Sequence, residues 1–443
     1  MPLPSRLLLV AIASISLCSS CRLPETSVTK AADIQPTEPQ PETSEATTQP
    51  PTSVEDSSNS GTTQTGTTQT DSTQAGCDVI EQLAAQTTET TAQAIAPNTL
   101  STTYTVIGEQ EEPQYSVTSD DMFRNASLPS QTIDFDELAL LNVLKETRRY
   151  FSEHGCEDPK VLKAGVLGTE GISVTDVITT LDFLIETLAT DISADAPTRL
   201  KDPNFINQNF KVIRWLAYDR DYLNDTRARI TKYAVFTHAG SRERTDIYNT
   251  PVYKIKDGLE NEAFITRYTK QEALSGIFEP GGSEYGKVET LAYLTREGFE
   301  DALLQGTALI ELTDGSTTYF NVDKNNGIAY VPGLAQPQQE RFWYFREVNK
   351  LNGYGLNSDV KIPIEPGVTF AGDVLNIGLG KLVAIEDRNQ NIRLGLIADT
   401  GGAFLPNLHQ LDFFAGVFPD RPTYQQAVQQ LPEYTKAYFL LKK

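Results

Sequence analysis

Residues 398–416 read ADTGGAFLPNLHQLDFFAG, and this stretch carries the strongest indication of the fold. Asp399 precedes a Gly-Gly turn, and Asp412 lies between Leu411 and Phe413. An aspartate in a turn most often caps or hydrogen-bonds the local backbone. Apolar neighbours that bury a carboxyl group, however, raise its pKa. The stretch therefore holds either two structural aspartates or a pair of carboxyl groups with altered acidity.

The segments upstream of this stretch favour short β-strands. After about Lys201, apolar runs alternate with Gly, Pro, Asn and Asp turns, and ALIEL and TTYFNV, joined by TDGS, predict a hairpin. Before Lys201, two stretches of helical periodicity predict two helices, the first ending at Gly155 and the second capped by Ser173. Strands that follow a few helices predict a mainly β fold, with a β-barrel domain after a small helical region.

The first 76 residues differ in composition from the rest. Residues 1–20 carry an early arginine and a short apolar run, which is typical of a secretory signal peptide. Cys21 follows small residues in a pattern similar to a bacterial lipobox, so we predict lipidation of Cys21; a plainly cleaved signal is the alternative. Residues 21–76 are rich in Thr, Ser, Pro and Gln and predict a disordered tether. Residues 77–200 are predicted to form an N-terminal, mostly helical region.

The charge balance excludes a nucleic-acid partner. The chain has 37 basic and 59 acidic residues, a formal net charge of −22, so it offers no surplus of cations to neutralise phosphates. The three histidines are scattered and no Cys-x-x-Cys spacing occurs, so we predict no metal site and no cofactor. An exported chain would keep Cys77 and Cys156 in an oxidising compartment. There the two cysteines could form a disulfide or remain as two free thiols, and the sequence leaves both possibilities open.

Several motifs resemble, in order, those of the MltA family of membrane-bound lytic transglycosylases. The closing segment resembles the family's 3D module, named for three aspartates, which are here Asp373, Asp399 and Asp412. The other matching segments, within about residues 137–443, are ITKYAVFTHAGSRERTDIYNTPVYKI, YTKQEALSG, LLQGTALIELTDGSTTYFNVDKNNGIAY and RFWYFREV. One Asp-Thr-Gly-Gly motif would be weak support, whereas an ordered series at matching spacings is specific.

This resemblance implies a domain organisation and a cellular setting. The family fold is a double-psi β-barrel with an inserted second β-domain, and glycan lies in the groove between them. Residues 201–443 would form the catalytic region, with the insert at about 254–345 and the 3D module at about 368–418. The expected partner is the glycan strand of peptidoglycan, and a cell-wall synthesis or degradation complex is a further candidate. With Cys21 lipidated, the protein would be an outer-membrane lipoprotein facing the periplasm.

The resemblance also implies a reaction, a non-hydrolytic cleavage of the β-1,4 bond between N-acetylmuramic acid and N-acetylglucosamine. The C6 hydroxyl of the muramic acid attacks C1 and forms a 1,6-anhydro end, so one aspartate can act first as acid and then as base. Such an acid must keep its proton near neutral pH, whereas an ordinary aspartate has a pKa of about 3.9. Burial and a nearby like charge would supply the difference. We therefore predict Asp412 as the acid/base, with Asp399 and Asp373 in supporting roles.

Five further residues are candidates for binding the glycan, namely Glu272, Gln305, Tyr330, Gly401 and Gly402. Gln305, expected on a strand, could equally satisfy a buried backbone group, and Tyr330 could equally belong to the core. The Gly-Gly turn would let backbone N–H groups approach a ligand closely.

Two other functions remain open at this point. A non-catalytic lipoprotein that binds peptidoglycan or another polysaccharide is suggested by Thr307 and Ala308, which replace the family's Ser-Gly in the groove. A hydrolase that uses Asp399 and Asp412 as a pair would produce reducing ends instead of anhydro ends. The chemistry of the products separates these possibilities.

Overall fold

The described part of the chain is mainly β, as the sequence predicts. The computed structural model describes residues 101–108, 111–220, 225–329, 331, 333–401, 404 and 406–443. The predicted signal peptide and tether lie outside these ranges, together with Cys21, Cys77, Tyr330 and Gly402. All of the described residues belong to one unit by their contacts.

The strands form one large sheet and two small antiparallel pairs, β1 with β2 and β12 with β13. The strands are β1 (Thr103–Ile107), β2 (Pro113–Thr118), β3 (Phe123–Ala126), β4 (Ile133–Asp134), β5 (Phe210–Trp215), β6 (Ala228–Ser241), β7 (Thr250–Ile255), β8 (Val288–Leu294), β9 (Thr307–Leu312), β10 (Thr317–Asn325), β11 (Trp343–Val348), β12 (Asn352–Gly355), β13 (Lys361–Pro363), β14 (Thr369–Ala371), β15 (Leu382–Glu386), β16 (Ile392–Asp399), β17 (Gln410–Phe418), β18 (Tyr434–Thr435) and β19 (Ala437–Lys442). The α-helices are α1 (Ser119–Met122), α2 (Glu137–His154), α3 (Val174–Ser193), α4 (Pro203–Asn209), α5 (Lys270–Ala273), α6 (Arg296–Gln305) and α7 (Arg421–Val428). Short 3-10 helices cover Gly165–Glu170, Arg199–Lys201, Ala263–Thr266 and Gln336–Gln338.

The two predicted helices are α2 and α3, which pack against each other. α3 begins with a capping box, in which the Ser173 side chain accepts from the Asp176 N–H and the Asp176 carboxylate accepts from the Ser173 N–H. α2 begins after the Asp136 cap and ends at Gly155, as the sequence predicts. Their buried apolar faces join the core beneath the main sheet. α2 contacts β16 and α3 contacts β19, so both helices pack on the main sheet.

The long strand β6 connects two parts of the large sheet. Its first residues pair in parallel with β17, and its last residues pair in parallel with β9. The predicted hairpin is confirmed as β9 and β10, which pair antiparallel around a turn where the Ser316 N–H donates to the Asp314 carboxylate. One strand of 14 residues thus runs through both halves of the sheet.

The buried apolar residues form two separate cores. The first core includes α2, α3, β5, β14 to β17 and β19. The members of the second core all lie between Val252 and Phe345, in the part of the chain expected to form the insert. The path of strand pairing runs from β11 at one end to β3 at the other, so the described strands do not close into a ring.

Candidate active site

Two of the three predicted aspartates lie in one row across the main sheet. Thr231 on β6 pairs with Asp412 on β17, Asp412 pairs with Ala371 on β14, and Ala371 pairs with Asp399 on β16. Directly paired residues in a regular ladder project from the same face, so Thr231, Asp412 and Ala371 share one face. The β14–β16 pairing shifts register between Phe370 and Ala371, but Tyr233, on the same face of β6 as Thr231, donates to the Asp399 carboxylate and so places that carboxylate on this face too. Since neighbouring strands lie about 4.8 Å apart, the backbones of the two aspartates are about 10 Å apart, with only the Ala371 methyl group between them. We call these four residues the carboxylate row.

Asp412 has the environment expected of a carboxyl group that keeps its proton. Its Oδ1 atom is buried and has no hydrogen-bond partner within the described residues. Burial raises the pKa of Asp412 to about 7; the Thr231 hydroxyl opposes this rise, the negative charge of Asp399 adds to it, and Lys232 opposes it. Near neutral pH, a pKa of about 7 leaves a large share of the Asp412 carboxyl groups protonated and able to donate.

Asp399 is better satisfied than Asp412. The Tyr233 hydroxyl donates to Oδ2 over 2.7 Å, and the Thr400 N–H donates to Oδ1 over 2.8 Å. Burial raises the pKa of Asp399 to about 6, and the bonds from Tyr233 and Thr400 and the charge of Lys361 oppose that rise. Asp399 is therefore mostly ionised near neutral pH, and its charge adds to the effect of burial in disfavouring ionisation of Asp412.

The third aspartate, Asp373, has a different setting. It is fully buried, and its carboxylate accepts from the Asn407 N–H, the Asn376 N–H and the Asn376 side-chain amide. Burial raises the pKa of Asp373 to about 6, against these hydrogen bonds. Asp373 thus fastens the loop after β14 to the segment before β17, which places the strand that carries Asp412.

A cavity of about 260 Å³ opens beside the carboxylate row, between residues of the two cores. Asp399 lines it, and so do Phe414 and Tyr233, which follow Asp412 and Thr231 by two positions on the same strand faces. Asp412 itself is not among the lining residues and lies two positions before Phe414 on β17. The polar lining residues are Tyr233, Gln305, Thr307, Asn321, Asn352, Tyr354, Lys361, Asp399 and Thr400.

Gly353 brings the wall of the cavity close to Asp399. A Cβ atom at this position would lie 2.6 Å from the Ala398 carbonyl oxygen and 3.1 Å from the Asp399 Cβ. Real side chains do not tolerate such contacts, and the first of these partners is backbone that cannot rotate away. Only glycine therefore lets β12 lie this close to the end of β16.

A second groove of about 410 Å³ continues from the cavity. The two share Leu351 and Ile364, and the groove extends toward α2. Its charged lining residues are two lysines and two glutamates, Lys145, Lys350, Glu146 and Glu365. An elongated binding surface of this kind fits a polymer better than a small isolated ligand.

The other predicted binding residues are not all at the cavity. Gln305 lines it, but it is the last residue of α6 and not part of a strand, and its Oε1 accepts from the Phe236 N–H. Glu272 belongs to the capping box of α5 and accepts from Thr269, and it does not line the cavity. Gly401 follows Asp399 at the end of β16 without lining the cavity. Tyr330 and Gly402 lie outside the described residues.

Three residues near Asp399 were missed from the sequence. They are Tyr233, which binds Asp399, and Lys361 and Asn321, which bind each other across the cavity through Nζ and Oδ1 at 2.6 Å. Tyr233 could have been found, because it alternates with Thr231 on the same face of a predicted strand. Lys361 lies in a short strand with no motif of its own, so the sequence offered no signal.

Two further features concern metals and membranes. Within the described ranges, no group of three His, Cys, Asp or Glu side chains is arranged to hold a metal ion. No helix in the same ranges combines the length and apolar character needed to cross a bilayer. Cys156 is exposed, and whether it pairs with Cys77 stays open because Cys77 lies outside the described residues.

Comparison with known proteins relates the fold to solved structures. No protein-family model and no curated protein sequence matches the chain. A membrane-bound lytic murein transglycosylase from Agrobacterium tumefaciens aligns over 72% of this chain and 97% of its own, with 15% identity and a TM-score of 0.50. MltA from Escherichia coli with bound chitohexaose aligns over 72% and 95%, with 16% identity and a TM-score of 0.46. The described chain therefore has a mainly β fold like that of the Agrobacterium tumefaciens enzyme.

Proposed function

We propose that this protein is a lytic transglycosylase that cleaves the glycan strands of peptidoglycan. The observation that carries the proposal is Asp412, whose buried and unpartnered Oδ1, within the described structure, belongs to a carboxyl group with a pKa raised to about 7. The fold likeness to a lytic murein transglycosylase supports the same reaction class. The carboxylate row and its adjoining cavity supply the groups that this reaction needs.

In the proposed reaction, Asp412 first acts as a general acid. Its proton passes to the glycosidic oxygen between N-acetylmuramic acid and N-acetylglucosamine as the bond from that oxygen to C1 breaks. The C6 hydroxyl of the muramic acid then bonds to C1, and its proton returns to the Asp412 carboxylate. The product has a 1,6-anhydro end, and no water is consumed.

Asp399 supports this cycle through its charge. It stays largely ionised, because Tyr233 and Thr400 donate to both of its oxygens. Its negative charge helps keep the proton on Asp412 and would favour the positive charge that develops at C1 in the transition state. Asp373 acts further away, by holding the loop that positions β17.

The proposed setting is the cell envelope, with the protein tethered by a lipid on Cys21 and facing the periplasm. This part of the proposal rests on the signal-like N-terminus and its lipobox-like Cys21. A tether as long as residues 21–76 would let the folded unit reach glycan strands away from the membrane. Metabolic labelling with a fatty acid, lost on Cys21→Ala, tests it.

The geometry also admits a hydrolase, because Asp399 and Asp412 both have raised pKa values and lie on strands that are separated by the single strand β14. An inverting hydrolase needs two carboxyl groups about 6.5–9.5 Å apart, with water between them. In this chain the small Ala371 separates the two strands that carry them. This alternative predicts reducing ends on the products.

Digestion of purified sacculi by the full chain, read by mass spectrometry, separates the candidates. Anhydro-muropeptides from the wild type, absent with Asp412→Asn, support the transglycosylase. Hydrated reducing ends support the hydrolase instead. Release of neither product, with both proteins still co-sedimenting with sacculi, contradicts both enzymes and supports a lipoprotein that only binds peptidoglycan.

A further inference from the structure

One basic side chain, that of Lys361, is among the described residues that line the cavity beside the carboxylate row. Among the described residues that line it, Asp399 and Lys361 are the charged ones. Lys361 is the first residue of β13, and it lines the cavity together with residues of β6. Nothing in the proposed acid/base cycle uses this lysine, so its presence in a small polar cavity calls for a separate explanation.

The Lys361 ammonium is only partly satisfied by the protein. Its Nζ donates to the Asn321 Oδ1 over 2.6 Å, and the Asn321 amide donates to the Thr307 hydroxyl over 2.6 Å. An ammonium carries three N–H donors, and Asn321 uses one of them. Asn321 therefore holds the lysine in place and leaves donors for a ligand.

Asp399 accounts for Lys361 only in part: burial lowers the pKa of Lys361, and the charges of Asp399 and Asp323 oppose that lowering. The two Asp399 oxygens already accept from Tyr233 and Thr400. The nearby ammonium lowers the pKa of Asp399, but as the last of the influences that oppose its burial. The cation is thus available to a group that enters the cavity.

The strongly negative net charge of the chain makes a lysine in the cavity important for binding an anionic ligand. At −22 overall, the protein repels an anionic polymer. A single ammonium in a partly desolvated cavity attracts a carboxylate more strongly than an exposed lysine does. The ligand that matches the cavity is therefore a sugar that bears its own carboxylate.

We propose that Lys361 binds the carboxylate of an unsubstituted lactyl group on the muramic acid in the cavity, so that the protein prefers peptide-free glycan strands. This inference rests on the proposed function, since muramic acid is the sugar concerned. In a peptide-bearing strand the same carboxyl is an uncharged amide. Chitin oligosaccharides lack the lactyl group altogether. Peptide-free strands, peptide-bearing strands and chitin oligosaccharides therefore differ in the functional group that Lys361 would contact.

Calorimetric binding by the full chain, in an Asp412→Asn background that prevents cleavage, tests this assignment. The ligands are a peptide-free tetrasaccharide of alternating N-acetylglucosamine and N-acetylmuramic acid, the same tetrasaccharide with its stem peptides, and chitotetraose. Lys361→Met should weaken binding of the peptide-free tetrasaccharide by about tenfold or more, the loss expected for a hydrogen bond to a charged group. Binding of the other two ligands should change by less than about twofold.

Two further variants separate charge from packing. Lys361→Gln keeps a donor for Asn321 but loses the charge, and it should show the same selective loss as Lys361→Met. Lys256→Met removes an exposed lysine outside the cavity and should change none of the three affinities. Thermal unfolding shows whether each variant is folded. If Lys361→Met does not fold, Lys361→Gln takes its place in the binding test.

An equal loss for the peptide-free and peptide-bearing ligands, a loss confined to the peptide-bearing one, or no loss overturns the proposal. A loss confined to the peptide-bearing ligand would assign Lys361 to a carboxylate of the stem peptide. These outcomes are independent of catalysis, because binding is measured in the inactive background. Failure of the wild type to release anhydro products would refute the proposed reaction and leave the binding result standing.

Discussion

Replacing Asp412 with Asn should stabilise the protein at alkaline pH while removing its proposed activity. In the unfolded chain Asp412 ionises near its ordinary pKa of 3.8, whereas in the folded protein it ionises near a pKa of about 7. Between these values the folded state holds a proton that the unfolded state has lost. Stability is therefore lost as the pH rises through this window, and an asparagine avoids the loss.

The structure sets the size of this effect. A rise in pKa from 3.8 to about 7 corresponds to a ceiling of about 4 kcal/mol above pH 7, and to less than half of that at pH 5. Asp412 is only partly buried, so solvent screening reduces the expected gain at pH 8 to about 1–3 kcal/mol. The gain should be smaller at pH 5 than at pH 8.

Urea unfolding followed by tryptophan fluorescence measures the difference, because Trp215 is fully buried in the first core. The matched control is Asp246→Asn, which removes a negative charge at an exposed position and should change the free energy of unfolding equally at both pH values. An Asp412→Asn effect that is the same at pH 5 and pH 8 would refute the claim that burial raises this pKa.

Three further predictions follow from the site and its surroundings. Asp399→Asn removes the negative charge that raises the pKa of Asp412, so the alkaline fall of kcat/KM should move to lower pH in a pH–rate profile. Gly353→Ala should destabilise the protein by about 1–3 kcal/mol in thermal or urea unfolding, because its Cβ would overlap backbone. Gly168→Ala, where the nearest atom would be 3.6 Å away, is its control and should have little effect. Lys270→Met should destabilise by about 1–3 kcal/mol in urea unfolding, since buried Glu300 loses its lysine and keeps Arg296 as a partner, and an unchanged midpoint would contradict this.

Local features of this fold were predictable from the sequence because they depend on neighbouring residues. The capping box at Ser173 and the end of α2 at Gly155 are set within one helical turn. The β9–β10 hairpin is set by its own turn. Gln305 was placed wrongly on a strand, although Gly306, in a left-handed conformation with φ 74°, marks the end of a helix there.

The candidate site was predictable only in part, because its pieces come from distant segments. The apolar neighbours of Asp412 indicated a buried carboxyl group, and the structure places it in a row with Asp399. The partner of Asp399, Tyr233, lies 166 positions earlier, and no local pattern links the two. Lys361 and Asn321 likewise come together only through the tertiary fold.

The pairing of β6 with β17 has a consequence for the timing of activity. Thr231 and Leu411, which are hydrogen-bonded across these strands, are 180 positions apart in the chain. Contacts of such sequence separation form late and slowly in folding, because a long loop must close first. A nascent or partly unfolded chain therefore carries Asp412 as an ordinary, solvated carboxylate. A protein with the proposed activity would stay harmless to the cell wall until its last strands had joined the sheet.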